Sequence, residues 1–438
     1  MLRKWLPALS VPEKTGKIVL LSQRLCNSSD RHHPGGYLLN HQPTHAMIKI
    51  LLTTAFLTQF SFASLQSPDL SPLTSSQYPS NLASNSAKNT KSKIQVALLL
   101  DTSNSMDGLI DQAKAQLWKM VNRLADAQRQ NEGVELEIAL FEYGNSGLEP
   151  DAGYIRLVHP LGTDLDGLSE KLFELKTNGG DEYCGWVIQT ALKEIPWSSG
   201  ANDLRIIFIA GNEPFNQGPV NFRTSCGAAA DRGILINTIH CGDFKTGLST
   251  DWKTGADLGR GKYMIIDTDK KVTHISTPFD ARILECNEKL NRTYIGYGAK
   301  GAMKKERQVK QDNNAASYGA SNVAQRAAAK SKSSYRNEDW DLVDAARADD
   351  QFVEKLEESE LPAELKGKNK AEIKKEIARL SAEREEIQKE LAELEKKMSA
   401  YIAEETKKQV GSEETLDLVL IQAVVEQAKA KGFVFYAK

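Results

Sequence analysis

The run Ile94-Gln95-Val96-Ala97-Leu98-Leu99-Leu100, ending at Asp101-Thr102-Ser103-Asn104-Ser105-Met106, constrains this chain more than any other stretch. Only Gln95 interrupts its apolar character, so both faces of a strand built from it must be covered. That is the situation of a central strand in a parallel sheet with helices on either side. Ligands bind such sheets where the strands end. One carboxylate and two hydroxyls in a tight turn offer hard oxygen donors to a small divalent cation, and they leave positions open for water or a partner.

The next two hundred residues or so repeat the alternation of strand and helix. Ile110, Ala113, Leu117, Val121 and Leu124 recur at spacings of three and four, marking a helix packed on the sheet. Strand-like runs at 94–100, 134–143, 154–159, 204–210, 234–241 and 262–267 alternate with helical patterns. The fold class expected is therefore α/β, a doubly wound and mostly parallel sheet flanked by helices.

Asp101, Ser103 and Ser105 form Asp-x-Ser-x-Ser directly after the first strand, which resembles the metal-ion-dependent adhesion site of the von Willebrand factor A (VWA) domain. The likeness covers about residues 94 to 270, and the domain is placed at 93–300. It implies a VWA/Rossmann-like fold and a Mg2+ site, with Mn2+ or Ca2+ as substitutes. Gly179-Gly180-Asp181-Glu182 stands where the family has Gly-Gly-Thr, so Asp181 takes the place of the ligating Thr, and a carboxylate is a competent oxygen donor. The third loop departs further. Ile207-Phe208-Ile209-Ala210-Gly211-Asn212-Glu213-Pro214 puts Gly211 where the family has an acid. Either Asn212 or Glu213 reaches in from one or two residues later, or water fills the place. The plainer alternative is that these two only shape the turn and cap the next helix. The site is in this sense a degenerate one.

A formal net charge of -2 gives no general attraction to nucleic acid. Residues 47–63 have the parts of a secretory signal: a lysine, a short apolar stretch, and small residues at the last and third-last positions. Cleavage is expected after Ala63, with 1–46 a doubtful leader and translation starting at Met47. The mature protein would then be periplasmic or secreted, without a membrane span. Residues 64–92, rich in Ser, Asn, Pro and Thr, read as a flexible linker. In an oxidising compartment Cys184, Cys226, Cys241 and Cys286 allow three complete pairings, of which a Cys184 to Cys226 bond is the one expected here; buried free thiols are the alternative. Trp118, Trp186 and Trp252 are expected to serve helix-on-sheet packing rather than to form ligand platforms.

Beyond 300, a polar and partly helical connector spans 301–350, with Trp340, Leu342 and Val343 as an apolar knot. Ile373, Ile377, Leu380, Arg384, Ile387, Leu391, Leu394, Met398 and Tyr401 then recur at alternating four and three, which predicts a coiled coil within 351–410. Self-association through that seam and an intramolecular hairpin are equally good readings. One more amphipathic helix falls within 411–438.

The resemblance implies a binding protein rather than a catalyst, one that recognises a protein partner through an acidic side chain completing the metal's coordination. The residues agree: no nucleophile is paired with a base, and neither Gly-x-Ser-x-Gly nor a Walker-type loop is present. One alternative makes the chain a scaffold acting through its coiled coil. Another makes Asp101 the nucleophile of a phosphohydrolase, for which the required second acid two positions later is replaced by Ser103.

Overall fold

The computed structural model describes residues 91–269, 275–408 and 415–435. The leader, the signal and nearly all of the linker read from the sequence lie outside them. The first half runs β1 (Lys93–Asp101), α1 (Asp107–Ala125), β2 (Ala127–Arg129), β3 (Glu132–Gly133), β4 (Glu135–Tyr143), β5 (Ile155–Gly162), α2 (Leu165–Glu174), α3 (Cys184–Glu194), β6 (Leu204–Gly211), α4 (Phe222–Asp231), β7 (Leu235–Cys241), α5 (Phe244–Ser249), α6 (Trp252–Leu258) and β8 (Arg260–Ile266). The second half is helical: α7 (Asp280–Arg292), α8 (Gly298–Ala316), α9 (Ala320–Lys330), α10 (Leu342–Ala348), α11 (Phe352–Lys355), α12 (Lys370–Lys408) and α13 (Leu416–Ala430), closed by β9 (Val434–Phe435).

The main sheet has six strands in the order β5-β4-β1-β6-β7-β8. All neighbours are parallel except β4 and β5. This is the doubly wound, VWA/Rossmann-like arrangement, with the most apolar strand at its centre. The parity of β1 divides the core into two layers. Ile94, Val96, Leu98 and Leu100 join the layer shared with α1, while Ala97 and Leu99 join Phe141, Tyr143, Ile207 and Ile209 against α3 and α4. Complete burial of such a side chain is worth about 1.5–3 kcal/mol. The same parity sends Asp101 to the α3 side, in register with Tyr143.

Of α1's residues, Ala115, Met120, Gln112, Gln116 and Asn122 are buried as well as the expected sheet-facing set, because helices cover its outer side too. Gln112 and Gln116 accept from the Leu416 and Asp417 N–H groups, at 3.2 and 3.0 Å, so α1 caps the start of α13. β9 then pairs with β2 in a small second sheet of order β3-β2-β9.

The heptad seam finds its partner inside the chain. Ile373, Ile377 and Leu380 of α12 pack with Leu342, Val343, Val353, Leu356, Leu361 and Leu365, whereas Ile387, Leu391, Leu394 and Met398 join the core beneath α7 and α9. Of the two readings of the seam, the structure shows the intramolecular one: a long helix docked on its own chain, including the segment just before it, with the seam's apolar residues buried there. Arg384, the break in the seam, is fully buried, stacks 4.0 Å over the Tyr294 ring and pairs with Asp341 and Asp344, both at 2.6 Å. The sequence-level disulfide is corrected as well. All four described cysteines are free and buried, with Cys184 and Cys226 packed as apolar side chains in the layer beside α3 and α4.

Candidate metal site at the sheet edge

Three loops meet where β1, β4 and β6 end. Asp101 closes β1 with 0% exposure, and its Oδ1 accepts from the Ser103 N–H at 2.8 Å, which folds the loop back on the strand. Ser103 Oγ lies 3.3 Å from Ser105 Oγ, and Asn212 Nδ2 donates to Ser105 Oγ at 3.1 Å. First and third loops are thus bridged by the residues the sequence marks. Two oxygens remain without partners although buried: Asp101 Oδ2 and Asn212 Oδ1.

Gly211 explains why the third loop lacks the family's acid at that position. A Cβ there would stand 2.6 Å from the Tyr143 hydroxyl and 2.9 Å from Asp101 Oδ2. Tyr143, paired with Asp101 in the sheet, donates its hydroxyl to the Ala210 carbonyl at 3.0 Å and fills the space a side chain would need. The next residue, Asn212, is the one whose side-chain amide reaches the first loop, with its Oδ1 left unpartnered. Glu213 is half-buried and accepts from Gln217 Nε2 at 3.2 Å, while its carbonyl accepts from Trp252 Nε1 at 2.9 Å.

The second loop differs from expectation. Asp181 is exposed, and its carboxylate accepts from the Tyr183 hydroxyl at 3.1 Å. Its neighbour Glu182 is buried instead. A Cβ on Gly144 would meet Glu182 Cγ at 2.8 Å and Asp101 Oδ1 at 2.9 Å, so this glycine, at φ +79°, is what lets the two acids share one corner. The backbone explains the choice. Ser146 N–H donates to the Gly179 carbonyl at 2.6 Å, and a Cβ on Gly180 would collide with the Gly144 carbonyl at 2.5 Å. With the loop pinned flat against β4's exit, Glu182 is the first acid turned to the strand ends. Sequence reasoning missed it, and the two adjacent acids carry no signal that separates them.

Burial pushes the Asp101 carboxyl up to about 7, and the charge on Glu213 adds to the rise. Burial likewise pushes Glu182 up to about 7, with Asp101 and Glu213 repelling it further. Two buried carboxyls with raised values and the charge of Glu213 thus gather around a pair of serine hydroxyls and an amide. Among the described residues no group of three or more His, Cys, Asp or Glu side chains is gathered closely enough to hold a metal by itself. A metal here would use one carboxylate together with hydroxyl and amide oxygens, a hard donor set that fits Mg2+. The unpartnered Asp101 Oδ2 and Asn212 Oδ1 are oxygens of that kind.

Comparison with protein-family models and with curated proteins finds no match. Among solved structures, the chain aligns with BatB, a conserved hypothetical protein from Bacteroides thetaiotaomicron, at 17% identity over 40% of this chain and 90% of that one, TM-score 0.31. It aligns with the SpRpn10 VWA domain at 15% identity over 40% and 88%, TM-score 0.30. A von Willebrand factor type A structure from Catenulispora acidiphila aligns at 16% identity over 41% and 40%, TM-score 0.31.

Proposed function

We propose that this chain is a non-enzymatic binding protein of the VWA kind, and that the sheet edge at Asp101 holds a divalent cation, Mg2+ foremost, through which it recognises an acidic side chain of a protein partner. The observation that carries this reading is the fully buried Asp101 carboxylate, whose Oδ2 has no hydrogen-bond partner and whose neighbours are Glu182 and Glu213 rather than a lysine or arginine. An isolated buried carboxylate is costly unless it is paired or coordinates a metal.

Asp101, Ser103, Ser105 and Asn212 would hold the ion, with Glu182 or Glu213 beside it and Asp181 outside. When bound, the cation supplies a charge and an open coordination position that attract a carboxylate. The chain's own contribution is orientation: the Asp101 Oδ1 bond to Ser103 N–H fixes the first loop, and the Asn212 bond to Ser105 ties it to the third. The phosphohydrolase alternative lacks a second acid beside Asp101 on its own loop. The scaffold alternative loses its free seam, since α12 is docked. Export to the periplasm or beyond is part of the proposal, on the strength of residues 47–63.

Calorimetric titration with Mg2+ and Mn2+ tests the reading. Binding heats are expected for the native chain and are expected to vanish in Asp101→Ala and fall sharply in Ser103→Ala. Heats that are unchanged in both variants overturn it.

A further inference from the structure

Beside the candidate metal edge lies an aromatic shelf that the packing of the core does not require. Trp118 and Trp252 are fully buried, as helix-on-sheet packing predicts, but Trp186 is only half-buried. Its ring lies parallel to that of Tyr183 within 7°, with centroids 6.1 Å apart, and Tyr154 joins Tyr183 at 6.0 Å. Two left-handed glycines back the rings. A Cβ on Gly153, at φ +74°, would stand 2.6 Å from the Trp186 indole, and one on Gly218, at φ +87°, would stand 2.4 Å from Tyr183. The rings are therefore held in place before any ligand arrives, which lowers the ordering cost of binding.

The shelf adjoins the edge directly. Gly144, which touches Asp101 and Glu182, donates its N–H to the Tyr154 carbonyl at 3.1 Å, and Tyr183 follows Glu182 in the chain. Its surroundings are acidic. Asp181 accepts the Tyr183 hydroxyl, Glu182 faces inward, and Glu149 and Asp151 sit exposed on the turn leading into Tyr154. Among the described residues no lysine or arginine pairs with any of these four acids. Aromatic faces attract cations, and carboxylates beside them strengthen the attraction.

We propose that the shelf formed by Tyr154, Tyr183 and Trp186 takes a lysine or arginine side chain of the same protein partner whose acidic group the neighbouring edge receives. Charge complementarity selects this occupant, and the inference rests on the binding function proposed above for that edge. The partner would thus present a cation and a carboxylate close together, one for each half of the surface.

The test uses the full chain labelled with 5-fluorotryptophan, the Trp186 resonance being assigned with Trp186→Phe. In EDTA it is titrated with N-acetyl-arginine methylamide, with the neutral citrulline analogue, and with a methyl glucoside. The arginine compound is expected to move the Trp186 resonance saturably, the citrulline analogue to bind at least about fivefold more weakly, and Asp181→Asn to weaken the arginine response about threefold. An equal response to citrulline, a response to the glucoside alone, or no movement with the arginine compound overturns the proposal. Mg2+ calorimetry on the same protein after EDTA has been dialysed away reads the metal site separately. A shift without Mg2+ heat removes the metal reading and leaves the cation shelf standing, and heat without a shift does the reverse.

Discussion

The helical layer and the sheet edge both bury charge, and they treat it in opposite ways. In the helical layer every buried cation has its acids. Arg326 lies 2.7 Å from Asp166 and 3.0 Å from Asp312 and stacks 4.2 Å over Trp118. Lys330 meets Asp312 at 3.1 Å and Asn287 at 2.8 Å, with Asn291 beside it. Burial alone would raise Asp312, but Lys330 and Arg326 together hold its carboxyl well below the usual range. Arg384 has Asp341, Asp344, the Thr293 hydroxyl and the Thr293 carbonyl. At the sheet edge burial raises both Asp101 and Glu182, the charge on Glu213 adds to each rise with no cation to oppose it, and two buried oxygens have no hydrogen-bond partner. The three buried cations of the helical layer thus have acids beside them, whereas the sheet edge keeps its acids together without one, which is the contrast on which the proposed binding role rests.

The largest expected effect lies in the matched region. Asp341→Ala removes one acid from Arg384 and the acceptor of the Ile295 N–H, and should cost about 3–5 kcal/mol of stability in urea unfolding. A loss below about 1 kcal/mol would erase the contrast between the two regions. Leu391→Ala, deep in the docked seam, should cost about 2–4 kcal/mol while sedimentation shows the same oligomeric state before and after. A change in association instead would return the seam to an intermolecular role.

The unmatched region should respond with the opposite sign. Asp101 has its folded value raised from 3.8 to about 7, so between those values the folded state binds the extra proton. The Asp101 contribution to stability in EDTA must then fall as pH rises from about 4 to 7 and stay low above, and on the proposed function Mg2+ without EDTA should offset that loss. Asp101→Asn should reduce the downward slope, leaving the part that Glu182 contributes, and stabilise the metal-free chain at pH 8 by about 1–2 kcal/mol, and thermal melts across pH 4 to 8 would read it. Melts that keep the native slope would show that the strain lies elsewhere. Gly211→Ala should cost about 1–2 kcal/mol through the Tyr143 and Asp101 collision and lower Mg2+ affinity with it, as denaturation and calorimetry would record. Smallest of all, Asp181→Ala should change Mg2+ affinity by less than about twofold, because its carboxylate faces Tyr183. A larger fall would bring Asp181 into the site.

The sheet was legible because β1's apolar run and the three-and-four spacing of α1 are signals of burial, and burial is what builds those elements. The six expected strand runs meet β1, β4, β5, β6, β7 and β8 with ends shifted by no more than about three residues. Asp101, Ser103, Ser105 and Asn212 could be marked as candidates for a related reason, since they lie at or just past strand ends, and the structure brings them to one edge. Glu182 was not, because the path of the Gly179-Gly180 backbone against Gly144 and Ser146 decides which of two adjacent acids turns inward. The partner of the seam was equally hidden. A heptad stripe records that a helix face is buried, and not whether the covering helix belongs to the same molecule. Arg384 at a seam position gains its meaning only once Asp341 and Asp344 are beside it.

The clasp between Gln112 and the first turn of α13 joins positions 304 residues apart. The cover that α13 lays over Met120 can therefore form only once a segment some 304 residues further along has been made, so this part of the core closes through a long loop rather than locally. Ending the chain ahead of Leu416 would strip that cover and leave Met120 facing water.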